Sequence, residues 1–128
     1  MKHEDPRGGQ TTLRSERPWG DIHMIVRNQQ CSVDLTHVRI GERSSLHTHN
    51  VRFELFHFLD AGACLELDGE LFHPAEHEEF LIRPGQKHRF WAEDREFRML
   101  VVCFGEWTAE DQMRIQDDYG REGTELVV

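Results

Sequence analysis

Three histidines and one glutamate are spaced along the chain like the ligands of a metal site. His47 and His49 are two residues apart, so both side chains leave the same face of an extended strand. Glu54 fits the next strand after a short turn, and His88 follows Pro84–Gly85, a pair that favours a turn. Three imidazoles and one carboxylate form a complete ligand set for one divalent transition metal: zinc, manganese, nickel or iron. The sequence therefore predicts a single metal site built from these four side chains.

The charge of the chain makes some classes of partner improbable. The 128 residues include 15 basic and 24 acidic side chains, which gives a formal net charge of -9. Nucleic acids and anionic membranes are bound by basic surfaces, so we expect neither as a partner. No apolar run approaches the length of a membrane span, and residues 1–10 lack the apolar stretch of a secretory signal. The net negative charge does not argue against an anionic small molecule as a ligand, because such a molecule responds to the local electric field of its pocket.

The cysteines indicate a reducing compartment. Cys31, Cys64 and Cys103 are far apart and odd in number, and each lies in a run that we interpret as a strand. The sequence contains no Cys-x-x-Cys pair, so neither a structural zinc nor a redox motif is indicated. We expect buried, reduced thiols in a cytoplasmic protein, because disulfides are rare in reducing compartments and free cysteine behaves as a small apolar side chain.

Short apolar or alternating runs separated by turn residues predict an all-β sandwich or barrel. The longest of these runs are Cys31–Ile40, Phe53–Leu59 and Phe97–Phe104. A shorter run ends at Asp68–Gly69, a pair that favours a tight hairpin. The sequence therefore predicts an antiparallel barrel.

The end of the chain follows a different pattern. Residues 108–111 read Thr-Ala-Glu-Asp, which resembles a capping box with Asp in place of Glu. We therefore predict one short C-terminal α-helix at about 108–118. The expected organisation is a flexible segment at 1–16, a barrel with its helix at 17–121, and a tail at 122–128.

The order of the metal-ligand residues also resembles the two motifs of the cupin family. Gly41 precedes the two close histidines and Glu54, and Pro84–Gly85 precedes His88. The spacing departs slightly from the family pattern, but no ligand is lost. The resemblance implies a double-stranded β-helix, which is a jelly-roll barrel. Because cupin barrels commonly pair through an edge strand, which also protects that edge, we expect a homodimer.

Three further segments narrow the resemblance to the cupin domain of type II mannose-6-phosphate isomerases. In many bacteria this domain is fused behind a mannose-1-phosphate guanylyltransferase domain. The segments are Arg17-Pro-Trp-Gly20 before the first long strand, Ser45-Leu46 directly before the histidines, and Asp117-Asp-Tyr-Gly-Arg121 near the end. The resemblance runs from Arg17 to Arg121. One departure is His47, which stands where the family usually has Gln.

This resemblance implies an aldose–ketose isomerase that acts on a sugar phosphate. A bound metal could polarise the carbonyl group of the sugar. Arg121 and Arg52 lie in matched motifs, and arginine binds phosphate through a planar fork, so both are candidate catalytic residues. The residues do not identify a general base.

Two other functions remain open at this point. Oxygen-activating cupins use the same three-histidine, one-carboxylate set, so a mononuclear iron dioxygenase is one alternative. A non-catalytic cupin that binds a sugar or nucleotide-sugar is the other. The fold cannot decide between them, because one barrel hosts many activities. Metal identity and oxygen uptake would separate the dioxygenase from the other two.

Overall fold

The computed structural model describes residues 13–121. The expectations for residues 1–12 and for the tail at 122–128 lie outside this described part. The chain divides into two compact units, Met1–Gln30 and Cys31–Val128. In the first unit, β1 (Leu13–Arg17) and β2 (Gly20–Met24) form an antiparallel hairpin. Residues 13–16, which we expected within a flexible segment, therefore belong to a strand.

The second unit, as far as residue 121, is built from two antiparallel sheets. Its strands are β3 (Cys31–Val38), β4 (Leu46–His49), β5 (Phe53–Phe58), β6 (Ala63–Leu67), β7 (Glu70–Phe72), β8 (Glu79–Ile82), β9 (His88–Ala92), β10 (Phe97–Phe104) and β11 (Gln112–Gln116). One sheet has the order β3-β10-β5-β8, and the other has the order β11-β4-β9-β6-β7. These sheets form a jelly-roll barrel, which confirms the all-β prediction.

An apolar cluster of mainly aromatic side chains fills one part of this unit. Phe56, Phe58, Phe97 and Met99 belong to it, and each is at most 1% exposed. Burying one such side chain stabilises the fold by about 1.5–3 kcal/mol. The Phe56 ring meets the ring of His88 edge-on, with 5.8 Å between the ring centroids. The apolar core therefore ends against the predicted metal ligands.

The hairpin between β6 and β7 forms at Asp68–Gly69, as the sequence predicts. Both residues have positive φ angles, 49° and 83°, which is the conformation that favours Asp-Gly in two-residue turns. The Asp68 carboxylate also accepts a hydrogen bond from the backbone N–H of Lys87 at 2.8 Å. This hydrogen bond joins the turn to the loop that directly precedes His88, the first residue of β9.

The predicted C-terminal α-helix at 108–118 is wrong. Ala109–Asp111 form a single 3₁₀ turn, and the next five residues form β11, which pairs with β4. The side chain of Thr108 makes no capping hydrogen bond. The Asp111 carboxylate instead accepts hydrogen bonds from the backbone N–H groups of residues 50–52 at 2.9–3.0 Å. The residue that resembles a capping partner therefore makes a tertiary contact, and the chain continues as a strand.

All three cysteines are free thiols. Cys64 and Cys103 are buried, whereas Cys31 is only partly buried. Burial raises the pKa of Cys103 to about 11, so this thiol stays protonated and unreactive near neutral pH. Among the residues described, no helix has the length and apolar character needed to cross a membrane.

Candidate metal centre

The four predicted ligands converge between the two sheets. β4 carries His47 and His49, and β9 carries His88 directly opposite His47. One ring nitrogen of each histidine lies within 4.8 Å of the others. From β5, Glu54 brings its Oε1 atom to 2.9 Å from His49 Nε2 and 3.8 Å from His88 Nε2. All four residues are at most 7% exposed, and the histidine triad could hold a metal ion.

Two of the histidines are fixed in the tautomer that a metal ligand needs. His47 Nδ1 lies 2.9 Å from the carbonyl oxygen of Ser45, and His88 Nδ1 lies 2.9 Å from that of Gln86. A carbonyl oxygen can only accept, so each Nδ1 carries the proton and donates it. Each Nε2 therefore keeps its lone pair for another partner, which is the usual arrangement of a ligating imidazole.

Arg52 orients the third histidine differently. Its Nε donates to His49 Nδ1 at 3.1 Å, and its Nη2 donates to Gln112 Oε1 at 3.2 Å. Arg52 is 3% exposed, and its Nε lies 3.7 Å from Glu54 Oε2. Because His49 Nδ1 accepts here, an ion at Nε2 requires either that this imidazole carry no proton or that Arg52 turn away.

The Nε2 atoms of the centre are what a metal would bind. Within residues 13–121, the Nε2 atom of His88 is buried and has no hydrogen-bond partner, whereas that of His49 lies 2.9 Å from the Glu54 carboxylate. Leaving the His88 atom unsatisfied costs about 1–3 kcal/mol, and coordination to a metal would satisfy it. Three nitrogens and one carboxylate oxygen suit a divalent transition metal. The residues present therefore fit such an ion.

The protonation states of the centre also suit a cation. Burial lowers the pKa of His47 to about 2 and that of His88 to about 4, and the neighbouring imidazoles add to both effects. Burial alone would raise the pKa of Glu54, but His49, His88 and Arg52 outweigh it and lower this pKa to about 2. Near pH 7, His47 and His88 are therefore neutral beside an ionised carboxylate, which are the forms that bind metals.

A cavity of about 600 Å³ lies over the centre and is lined by His47 and Glu54. This volume is in the range of small-molecule sites. The other charged lining residues are Asp34, Arg52, Arg114 and Arg121. The arrangement can accommodate a small polar molecule next to the four candidate ligands.

Arg121 lines this cavity, as the family resemblance implies. Its backbone N–H, Nε and Nη2 all donate to the Asp117 carboxylate, at 2.7–2.9 Å. The side chain of Arg121 is 44% exposed, whereas that of Asp117 is fully buried. The Arg121 hydrogen bonds lower the pKa of Asp117 to about 2. One edge of the Arg121 guanidinium is thus committed to Asp117, and the catalytic role of Arg121 stays a prediction.

Sequence reasoning missed two of the charged cavity residues, Asp34 and Arg114. Asp34 belongs to a polar series, Ser32, Asp34 and Thr36, that alternates with apolar residues and lines the cavity. Arg114 was assigned to the predicted helix. The alternation of apolar and polar residues in Gln112–Gln116 was the available signal for a strand.

Comparisons with known sequences place the chain in a family. Residues 5–118 match the family model described as mannose-6-phosphate isomerase C-terminal. A mannose-1-phosphate guanylyltransferase from Klebsiella pneumoniae is 28% identical over 107 residues, which are 82% of this chain and 23% of that protein. The chain therefore spans less than a quarter of the length of this curated relative.

Comparisons with solved structures show the fold. A cupin protein from Bacteroides fragilis has a TM-score of 0.54 at 17% identity and covers 66% of this chain and 88% of its own. A protein from Acidithiobacillus ferrooxidans, named only provisionally as a sugar phosphate isomerase, has a TM-score of 0.55 at 15% identity. The match covers 59% of this chain and 51% of that protein. The fold is a cupin barrel, and because the family model matches most of the sequence, the chain belongs to the mannose-6-phosphate isomerase C-terminal family.

Proposed function

We propose that this protein is a metal-dependent isomerase that interconverts an aldose phosphate and its ketose phosphate, with mannose 6-phosphate and fructose 6-phosphate as the first pair to test. The observation that carries the proposal is the buried three-histidine, one-carboxylate centre beside a cavity lined by three arginines. The family match supports a sugar phosphate as the substrate class. Arginine forks suit the phosphate, and the centre suits the carbonyl end of the sugar.

The reaction moves hydrogen between two adjacent carbons. A base takes the proton from C2 of the aldose, an enediol forms, and the proton returns to C1 while another proton passes between the two oxygens. The reaction is balanced without an oxidant or a reductant. A metal held by the four convergent side chains would supply Lewis-acid stabilisation of the negative charge on those oxygens.

Asp34 is the proposed base. Among the described residues that line the cavity, it is the only carboxylate apart from Glu54, which we assign to the metal. It lies on β3 opposite Val101 of β10, and both residues line the cavity. A carboxylate placed beside the sugar can remove a proton from one carbon and return it to the next.

We expect Asp34→Asn to lower kcat about 10²–10⁴-fold, the usual range for loss of general acid–base catalysis. The amide keeps the shape of the side chain but cannot take the proton. Asp34 is exposed, so the melting temperature should change little. Asp94→Asn, an exposed carboxylate that does not line the cavity, is the matched control. Wild-type turnover in Asp34→Asn would remove Asp34 from the mechanism.

Arg121 and Arg52 receive different proposed roles. Arg121 lines the cavity and its guanidinium is held by Asp117, so it is proposed to contact the substrate phosphate. Arg52 contacts His49, and its Nε lies 3.7 Å from Glu54, so it is proposed to position the metal ligands. Arg121→Lys should keep the fold and raise KM, because lysine is a point donor that cannot copy the arginine fork.

The deciding experiment measures metal content and turnover together. The purified protein is analysed for bound metals, loaded with zinc, manganese, nickel or iron in turn, and incubated with mannose 6-phosphate while fructose 6-phosphate is followed by NMR. Turnover without oxygen uptake supports the isomerase. Bound iron with oxygen uptake would indicate a dioxygenase. Stabilisation by the sugar phosphate without turnover, seen as a higher melting temperature, would indicate a binding protein.

We also propose that the protein works in the cytoplasm. The support is that Cys31, Cys64 and Cys103 are all unpaired, which suits a reducing compartment.

A further inference from the structure

Strand β11 turns polar side chains inward. Gln112 and Arg114 are 8% and 4% exposed, whereas the intervening Met113 and the following Ile115 are 46% and 38% exposed. A strand with one buried face normally directs its apolar residues inward. The reversal shows that the inner face of β11 borders the polar cavity, which both Gln112 and Arg114 line.

The strand register places Arg114 beside a candidate metal ligand. Arg114 of β11 is paired with His47 of β4, and Gln112 is paired with His49. Directly opposed residues of an antiparallel pair share one face, with their Cβ atoms about 4.5–5.5 Å apart. Arg114 and His47 therefore lie side by side on the two strands, and both line the cavity.

The charges around Arg114 favour an anion. Asp117 uses both carboxylate oxygens to bind Arg121, at 2.8 and 2.9 Å from the guanidinium nitrogens. Burial lowers the pKa of Arg114 and the nearby charge of Arg121 lowers it further, while Asp117 acts in the opposite direction. The Asp117 charge acts on both arginines and offsets part of their repulsion, and an anion in the cavity would offset more of it.

The charge of the whole cavity wall has the same sign. Among the described lining residues, three arginines face two carboxylates, Asp34 and Glu54. With neutral histidines, the wall has a net charge of about +1, and a divalent ion would raise it to about +3. The chain as a whole has a net charge of -9, so the charge of the cavity wall is opposite in sign to that of the chain. Such a site concentrates small anions.

We propose that Arg114 is the main anchor for the phosphate of a phosphate monoester in this cavity, with Arg121 as the second cation. Asp117 is then a positioning residue that fixes the Arg121 fork. The inference rests on the proposed function for the sugar part of the substrate, but the anion site itself follows from the register and the charges. The guanidinium of Arg114 can bind two phosphate oxygens at once, which lysine cannot do.

Calorimetric titration of the zinc-loaded full-length chain with fructose 6-phosphate, fructose and inorganic phosphate tests this site. The wild type should bind the phosphorylated sugar more tightly than fructose. Arg114→Gln should weaken fructose 6-phosphate binding roughly 10- to 100-fold, as expected for loss of a charge-assisted pair, and should leave fructose binding unchanged. Arg114→Lys, which keeps the charge without the fork, should lose less affinity than Arg114→Gln.

Arg89→Gln is the matched control. Arg89 is also buried, at 5% exposed, but it follows His88 on β9 and so faces away from the cavity, which it does not line. This variant should bind fructose 6-phosphate like the wild type. If Arg114→Gln does not fold, as judged by circular dichroism, Arg114→Lys decides the question.

Unchanged affinity for fructose 6-phosphate in a folded Arg114 variant would overturn the anchor, as would a wild type that binds no phosphate. These outcomes are distinct from failure of the proposed isomerase. A wild type that binds the phosphate through Arg114 without turnover would refute the isomerase and leave the anion site intact. If the wild type converts the sugar phosphate and Arg114→Lys leaves the KM unchanged, the isomerase would stand and Arg114 would not be the phosphate anchor.

Discussion

At the scale of single residues, hydrogen bonds to the backbone decide what the histidines can bind. The carbonyl groups of Ser45 and Gln86 hold the Nδ1 protons of His47 and His88. Both Nε2 atoms are thereby left as acceptors in a buried place, where water cannot compensate easily. Histidines fixed this way are prepared for a cation before it arrives, so little side-chain entropy is lost when it binds.

His88→Gln should reduce zinc affinity by more than about 100-fold, because even the loss of an outer-shell partner typically costs about 10- to 100-fold. His88 is 0% exposed and central to the triad, so no neighbouring group can replace it. Competition with a zinc chelator measures the affinity. The control is His37→Gln on β3, where the histidine is half-exposed and pairs with Glu96. Equal zinc affinity in the two variants would show that the centre does not bind metal as proposed.

The metal-free protein should lose stability as the pH falls below about 6.5. An unfolded histidine takes up its proton near pH 6.5. Folded His88 does so only near pH 4, and folded His47 near pH 2. The stability that they contribute is therefore complete above about pH 6.5 and is lost as the pH falls, down to about pH 4 for His88 and about pH 2 for His47, at about 1.4 kcal/mol per pH unit for each histidine.

Glu54 also contributes to folding stability, and this contribution is lost at a lower pH than that of the histidines. Its folded pKa is about 2 and its ordinary value is 4.5, so its stabilisation is present above pH 4.5 and lost below it. Urea unfolding at pH 7.5, 6.0 and 5.0 measures the contribution of the histidines alone, because that of Glu54 does not change above pH 4.5. His88→Gln should show a shallower slope than the wild type, because one titrating group has been removed. Parallel slopes would contradict the depressed pKa of His88.

At the scale of elements, Asp111 joins the 3₁₀ turn to the loop between β4 and β5. Its two carboxylate oxygens accept three backbone N–H groups from Asn50, Val51 and Arg52. This loop connects the strand of His49 to the strand of Glu54. The carboxylate therefore sets the relative position of two candidate ligands without lying in the cavity.

We expect Asp111→Ala to lower the free energy of unfolding by about 1–3 kcal/mol, because it leaves the buried Arg52 N–H and two partly buried N–H groups without their acceptor. Glu110→Ala removes a carboxylate from the exposed neighbouring position and should change the free energy of unfolding by less than about 0.5 kcal/mol. Denaturant titration of both variants makes the comparison. Equal, small effects would mean that the loop does not depend on Asp111.

The sequence predicted which candidate ligands lie close together better than it predicted the end of the chain. Alternation on a strand requires only that His47 and His49 share a face, and the turn at Pro84–Gly85 brings in a third histidine. β11 was mistaken for a helix because residues 108–111 resemble a capping box, and the pattern of residues 112–116 did not correct this. Its inner face is polar because it borders the cavity, whereas pattern analysis assumes that the buried face is apolar. Asp34 lies on a polar face for the same reason, because that face of β3 also lines the cavity.

At the scale of the whole molecule, β3 is the element most suited to pairing with another chain. It is an edge strand of the four-stranded sheet, bonded only to β10 within the described residues 31–121. Its cavity face is polar, but Val33 and Leu35 on the opposite face are 56% and 65% exposed. An unpaired edge beside exposed apolar side chains favours strand-to-strand association, which is consistent with the predicted homodimer.

We therefore predict that Leu35→Glu converts a homodimer into a monomer. Two copies of β3 side by side would place the new carboxylates near each other in an apolar contact, where like charges are costly. Leu71→Glu on β7 is the matched control, because Leu71 is also an exposed leucine, at 53%, on the edge strand of the other sheet. Light scattering after size exclusion should give the mass of a dimer for the wild type and Leu71→Glu, and of a monomer for Leu35→Glu. A monomeric wild type would refute the homodimer, and a dimeric Leu35→Glu would place the interface on another surface.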